Sequence, residues 1–373
     1  MVKKVSGPPS ARRQQARTGP GRKPATSSLL RRPGFAMLPV MFRLPPALAS
    51  LASLASLALL VCCLMPPPVA ADSPPVALAV THDEAARTVT VTAGGDVFTV
   101  LRYNAFSRPV LWPLRGPGDV PMTRDWPMKP DTPGEDQDHP HHKSVWFTHG
   151  DVNGVDFWSE SDKAGRVVTI GVPRAAIDAD GRARIELENE WRARDGRVVC
   201  TDTTVIRCGL AGHARLIDWT ITVAASHGPV TFGDTKEGTM AVRTRPELNV
   251  DRKNPLAAGS ARNREGLTGK ALWGAKSAWV DYSAPVAGTV AGLALFDHPS
   301  NLRHPTTWHA RDYGLIAANP FGLHDFSKDQ PKGAGTHVIP DGRTATWRYG
   351  IYLYRGAAEA TAIDAAWAAW AGR

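Results

Sequence analysis

Histidine is unevenly spread along this sequence. Of twelve, four fall in 139–149 (His139, His141, His142, His149) and four in 298–324 (His298, His304, His309, His324). The first window begins Asp138-His139-Pro140-His141-His142-Lys143-Ser144 and enters an apolar strand at Val145. The second begins Asp297-His298-Pro299-Ser300-Asn301-Leu302-Arg303-His304-Pro305, where the apolar run Val290 to Phe296 ends. Gly233-Asp234-Thr235-Lys236-Glu237-Gly238 and Ala318-Asn319-Pro320-Phe321-Gly322 are two further polar segments at strand ends. Clustered imidazoles, carboxylates and an arginine have three uses. Neutral imidazole and carboxylate ligate Zn, Fe, Cu or Mn. Histidine also transfers protons, because it titrates near neutrality. Finally, imidazole hydrogen-bonds sugar hydroxyls beside aromatic faces.

These segments nominate His141, His142, His298 and His309 as acid–base or metal-ligating groups, with Glu237 or Asp234 as carboxylate partner. Arg303 is the candidate clamp for an anionic or hydroxyl group, and Asn319 the candidate for orienting substrate. Trp126 and Trp308 stand in polar stretches and are the candidate stacking faces. For a divalent metal the candidate ligands are His139, His141 and His304. No His-Glu-x-x-His helix is present. In an extended chain His139 and His141 face one side and His142 the other, so all three meet only if the loop curls. A polar hydrogen-bonded loop explains any single histidine, but is a weaker explanation of two windows together. Trp146, Phe157 and Trp158 read as core, and Asn153-Gly154 as a turn.

Short alternating segments must hold these loops. They are Val76 to Val80, Thr88 to Thr92, Val97 to Leu101, Val167 to Val172, Ala183 to Leu187, Val198 to Ile206, Leu216 to Val223, Ala278 to Tyr282, Val290 to Phe296 and Ala345 to Tyr354. Period-two alternation predicts half-buried strands. Asp180-Gly181, Asp195-Gly196 and Asp341-Gly342 predict type I′ hairpins. One helix is expected, 357–371, with Ile363, Trp367 and Trp370 on one face. There is no alternation of strand and helix, no Gly-rich phosphate loop and no repeat. The expected fold is all-β: a large antiparallel β-sandwich with one C-terminal helix, a single domain over 73–373.

Charge separates the chain into two parts. The sequence has 44 basic and 35 acidic residues. Residues 1–71 hold ten of the basic ones and no acid, which leaves 34 against 35, a net −1, from Asp72 onward. A nucleic-acid partner is therefore not expected, since phosphate binding needs an excess of Lys and Arg. Residues 1–36 read as a disordered basic leader. Residues 37–71 resemble a secretory signal, with an uncharged run from Ala47 to Met65 and Val69-Ala70-Ala71 at the cleavage position. An uncleaved anchor is the rival, and Pro66-Pro67-Pro68 favours cleavage. The expected location is secreted or periplasmic, with no stable span after cleavage. Cys200 and Cys208 flank a strand of about 26 Å, too long for them to pair.

Several motifs in one order resemble the PmoA family of secreted bacterial proteins. They are Leu114-Arg115-Gly116-Pro117-Gly118, Arg124-Asp125-Trp126-Pro127, Asp138-His139-Pro140-His141-His142, Val152 to Trp158, Asp234-Thr235-Lys236-Glu237-Gly238, Asp297-His298-Pro299-Ser300-Asn301, Arg303-His304-Pro305-Thr306 and Ala318-Asn319-Pro320-Phe321-Gly322. The likeness spans 98–354 and implies a β-rich fold with an open activity. A looser likeness is to galactose-mutarotase-type supersandwich proteins, which act on sugars through His and carboxylate on a concave sheet. The leading expectation is an enzyme acting on a carbohydrate-like small molecule or glycan. A non-catalytic carbohydrate- or surface-binding module is second, and a metal-dependent oxygenase third.

Overall fold

The computed structural model describes residues 76–373. The leader (1–36) and the signal-like segment (37–71) lie outside the described residues. Two large sheets form the body. The nine-stranded sheet runs β1 (Leu78–Asp83), β2 (Thr88–Ala93), β3 (Asp96–Arg102), β4 (Val110–Gly116), β6 (Val145–His149), β12 (Gly238–Arg243), β17 (Leu315–Ala318) and β16 (Trp308–Ala310), with β5 (Val120–Pro121) on β4. The eight-stranded sheet runs β13 (Ser260–Asn263), β14 (Trp279–Val286), β15 (Thr289–Asp297), β19 (Thr344–Arg355), β10 (Ala214–Ala224), β9 (Val198–Ala211), β8 (Ala183–Arg192) and β7 (Arg166–Ile177). A small sheet pairs β11 (Val230–Phe232) with β18 (His337–Ile339). All pairings between these strands are antiparallel.

The two sheets face one another across one core. Phe147, Met240, Val242 and Ile316 meet Trp191, Ile221, Trp347 and Ile351 there. Each such side chain contributes about 1.5–3 kcal/mol by leaving water. Cys200 and Cys208 are both free, buried thiols, and burial pushes Cys208 up to about 12. Apolar packing rather than a disulfide therefore holds the sandwich.

Ten of the strands contain or overlap the ten alternating segments. In β8 burial switches residue by residue, as period two requires. The turn chemistry needs correction. Gly181 and Gly196 take positive φ but their aspartates do not, so neither turn is type I′. Asp341-Gly342 joins β18 to β19, which belong to different sheets, so it makes no hairpin. Asn153 and Gly154 both take positive φ, and Val152 and Val155 exchange backbone hydrogen bonds around them.

Two short α-helices complete the described fold: α1 (Leu323–Phe326) and α2 (Ala360–Ala371). The second starts three residues later than expected, because the chain is still extended at Glu359, its N-cap position. Its Ile363 and Trp370 bury against Trp279, Ala294 and Phe296 on the outer face of the eight-stranded sheet.

Candidate functional site on the outer face of the nine-stranded sheet

Strand alternation decides which side chains leave the core. In β6, β12, β17 and β16, the residues Phe147, Met240, Ala318 and Trp308 point into it. Their neighbours Trp146, Ala241, Ala317 and His309 point outward and lie in one row: Trp146 opposite Ala241, Ala241 opposite Ala317, Ala317 opposite His309. The two alanines leave room above the sheet. Trp158 fills it, with its ring 5.2 Å from Trp146 and 6.3 Å from His309. Trp146 and His309 come from the sheet and Trp158 from the segment after β6, and together they make an aromatic floor.

The first histidine window curls over that floor. His139 takes positive φ, and the His142 N–H donates back to the His139 carbonyl at 2.9 Å. The extended-chain geometry therefore does not apply, and all three rings meet. His142 lies parallel to His139 at 4.7 Å, His141 stands edge-on to His142 at 4.4 Å, and Tyr313 stacks on His139 at 5.1 Å. Trp146 stacks beneath His142 at 5.5 Å.

Buried arginines fix this loop. Arg124 donates to the carbonyls of Asp136, Asp138 and His139 and to the Asp138 carboxylate. Arg243 holds the same carboxylate at 2.8 Å and lies on the Tyr313 ring. Arg108 donates to the carbonyls of His141, Phe157 and Trp158, tying the loop to the floor. Burial disfavours charge on Asp138, but His139, Arg243 and Arg124 outweigh it and hold the carboxyl well below its usual range. Sequence spacing does not single out Arg108, Arg124 or Arg243. An arginine saturated by loop carbonyls leaves no periodic mark in a sequence.

On the far side, His309 is nearly buried, at 3% exposure, and its Nδ1 meets the Lys236 carbonyl at 2.8 Å. A carbonyl can only accept, so Nδ1 carries the proton and Nε2 keeps its lone pair. No Nε2 hydrogen bond forms among the described residues. Glu237 follows Lys236, pairs with its ammonium, and lies close enough to raise Tyr313. Trp273 and Phe326 stand edge-on to His309 at 4.9 and 6.4 Å. Both rings, like Tyr313, are half-exposed. Tyr313 is delivered by the β16–β17 turn, where Gly314 at φ +87° has no room for a Cβ against Asn249 and Thr244. A cleft of about 570 Å³ opens between Trp273 and Tyr313.

The imidazoles are electrically quiet. Burial pulls His309 down to about 3 and His141 to about 4, and it holds His142 well below its usual value. All three are neutral at neutral pH, so each offers one N–H and one lone pair. The Nδ1 of His142 is buried without a partner, as are the indole nitrogens of Trp146 and Trp158. Burial also pushes Tyr313 up to about 12, against the opposing charge of Arg311 and Arg243.

Several nominated residues lie elsewhere or are fully engaged. His298 meets Ser300 Oγ, the Ala371 carbonyl and Arg348 beside α2. His304 bonds Asp297 at 2.7 Å and stacks on Trp367. Both sit against α2, which covers the other sheet. The metal set His139, His141 and His304 therefore does not converge, and among the described residues no three His, Cys, Asp or Glu are placed to hold a metal ion. Stacked rings explain part of this: His139 and His142 are parallel within 2°, so their in-plane lone pairs do not aim at one point.

Asp234, Arg303, Asn319 and Trp308 are saturated by hydrogen bonding or buried. Asp234 accepts from the backbone N–H groups of His324 and Gly335. Arg303 donates to four carbonyls, those of Pro320, Ala334, Gly335 and Thr336, and has no fork left for a ligand. Asn319 spends its amide on the Thr235 and Lys236 carbonyls and its oxygen on Phe321 N–H. Trp308 is a core side chain with 0% exposure, its indole N–H bonded to the Ser277 carbonyl. Trp126 is half-buried beneath the Arg124 guanidinium. Trp273 and Tyr313 are instead the half-exposed rings beside the cleft. Trp273 precedes a glycine and Tyr313 lies in Arg311-Asp312-Tyr313-Gly314, so an aromatic beside a turn glycine was the available signal.

No curated protein matches the chain. Among solved structures it is similar to the galactosidase domain of an α-galactosidase–sucrose kinase, with 6% identity and a TM-score of 0.36 over 74% of this chain and 42% of that one. It is also similar to an α-galactosidase from Lactobacillus brevis, with 8% identity and a TM-score of 0.33 over 74% and 39%. A galactose mutarotase related enzyme from Lactobacillus acidophilus gives 7% identity and a TM-score of 0.28 over 74% and 97%. The chain thus spans less than half the length of the two galactosidase chains. The PmoA likeness rests on the sequence motifs alone. The profile of a family of unknown function, DUF6807, matches residues 88–368, and the chain belongs to that family.

Proposed function

We propose that this protein binds a carbohydrate-like substrate on the outer face of the nine-stranded sheet and moves a proton on it. The observation that carries the reading is convergence. His141, His142 and His309, each with a ring nitrogen lacking a protein partner, share one face with Glu237 and with the half-exposed rings of Trp273, Tyr313 and Phe326. A neutral imidazole matches a sugar hydroxyl, since both donate and accept. Aromatic faces match the C–H face of a pyranose. Glu237 is the group that gives or takes the proton, and His309 Nε2 and His141 hold hydroxyls in place. The leader at 1–71 supports export, as a secreted or periplasmic protein, and among the described residues no helix is long and apolar enough to cross a membrane.

A second reading is binding without turnover. It is favoured by the protonation of His309 and His141 near 3 and 4, far below the range in which an imidazole is an efficient base at neutral pH. One experiment separates the two. Neutral and acidic oligosaccharides are incubated with the protein, and both product formation and binding are followed. Turnover abolished by Glu237→Gln with binding retained supports the enzyme. Binding without product from the unaltered protein supports the module. Neither binding nor product would falsify the carbohydrate reading.

A further inference from the structure

The cleft beside His309 carries one cation more than its acids can match. Lys253, Lys270 and Arg311 line it together with Asp251 and Asp312, which is three positive charges against two negative. Lys253 pairs with Asp251 at 3.3 Å and Lys270 with Asp312 at 3.9 Å. The unmatched cation is Arg311. Its guanidinium lies on Trp273 at 5.0 Å and on Tyr313 at 5.2 Å. Among the described residues its side chain donates no hydrogen bond and joins no ion pair. The contrast with Arg108, Arg124, Arg243 and Arg303 is direct, since each of those is bound to protein oxygens. Arg311 is half-buried, so its charge is not freely solvated.

Stacking also fixes its geometry. The guanidinium carbon lies over two aromatic rings, and guanidinium N–H donors lie in the group's own plane, at its edge. That edge suits two oxygens of a planar carboxylate or of a sulfate ester. The same two rings bridge directly to the imidazoles: Trp273 packs on His309 and Tyr313 on His139. A saccharide lying on Trp273 would put a ring substituent at Arg311 while its hydroxyls reach His309.

We infer that Arg311 selects an acidic saccharide, one carrying a carboxylate or a sulfate, for the site proposed above. The inference rests on the carbohydrate reading but can fail without it. Lys270 and Lys253, both largely exposed, add long-range attraction to the same ligand. Among the described residues no carboxylate pairs with Arg311, so a neutral sugar would leave the half-buried cation unpaired.

The test is calorimetric titration of the full chain with three oligosaccharides of equal length: one uronate-containing, one sulfated and one neutral. At least one acidic ligand is expected to bind about tenfold or more tightly than the neutral one, and its affinity should fall as salt rises. The two acidic arms identify the anion. Arg311→Gln is expected to remove the preference while leaving neutral binding within a few-fold. Arg311→Lys keeps the charge without the fork and should retain only part of the preference, and it serves if the glutamine variant does not fold. Equal affinity for acidic and neutral ligands, or a parallel loss of both in Arg311→Gln, overturns the inference and leaves the carbohydrate reading standing. Absence of binding by all three overturns both.

Discussion

Residues 139–142 with His309, and residues 298–304, are two histidine-rich regions of similar composition. In the first, the rings pack on one another and on Trp158, and several ring nitrogens have no protein partner. In the second, His298 and His304 bond Ser300, the Ala371 carbonyl and Asp297, and each packs against a tryptophan of α2. Residue type does not separate these regions. What separates them is what the fold sets beside the rings: α2 and the buried Asp297 carboxylate in the second region, half-exposed aromatic rings in the first. Against α2 the histidine is a joint of the scaffold; beside half-exposed rings, capacity is left for a ligand.

The largest expected effect sets the regions apart by chemistry. Glu237→Gln should lower turnover about 10²–10⁴-fold while the melting temperature barely moves, since Glu237 is half-exposed. His298→Ala should leave turnover intact. Equal loss of turnover in the two variants, measured on the folded protein, would erase the distinction.

Stability is the second contrast. Asp297 is fully buried and accepts from His304, Asn301 and the Thr306 N–H. Asp297→Ala strips all three donors and should cost on the order of 3 kcal/mol in chemical denaturation. Activity should fall only as far as the protein unfolds. A wild-type midpoint would show that the second region is not structural.

Acid sharpens the comparison further. His309 and His149 titrate near 3 and 4 in the folded chain, and an ordinary histidine at 6.5. The unfolded chain therefore binds more protons between these values, and stability falls as pH drops from 6.5 towards 4. Each group contributes about 1.4 kcal/mol per pH unit in that window. His309→Gln should flatten the slope in pH-dependent unfolding, and an unchanged slope would contradict the burial of a neutral imidazole. The smallest expected effect is on binding alone: Trp273→Ala should weaken saccharide affinity about tenfold with little change in melting temperature. Trp308→Ala, a core truncation, should instead lower stability by about 3–5 kcal/mol.

Alternation made the eight-stranded sheet legible. Segments such as Ala183 to Leu187 have one wet and one buried face, and the pattern survives in the sequence. The site strands lack that mark. β6, β12 and β17 are buried throughout, because loops cover their outer face as the core covers the inner one. Without alternation, the sequence carries no mark that places Trp308 in the core and His309 on the outer face, and both stand in a polar stretch. The histidine clustering was visible, but its division between two sheets was not. That division depends on the β12–β17 register and on the docking of α2, contacts far apart in sequence. Arg303 and Asn319 resemble ligand groups in sequence for a related reason: their side-chain N–H groups donate to carbonyls, which every residue carries.

The most direct measurement is histidine-selective NMR of the full chain titrated with the saccharides above. The imidazole signals of His141, His142 and His309 should shift together and saturate at one ligand concentration, while those of His298 and His304 stay fixed. Shifts confined to His298 and His304, or none at saturating ligand, would contradict the assignment of the site to the outer face of the nine-stranded sheet.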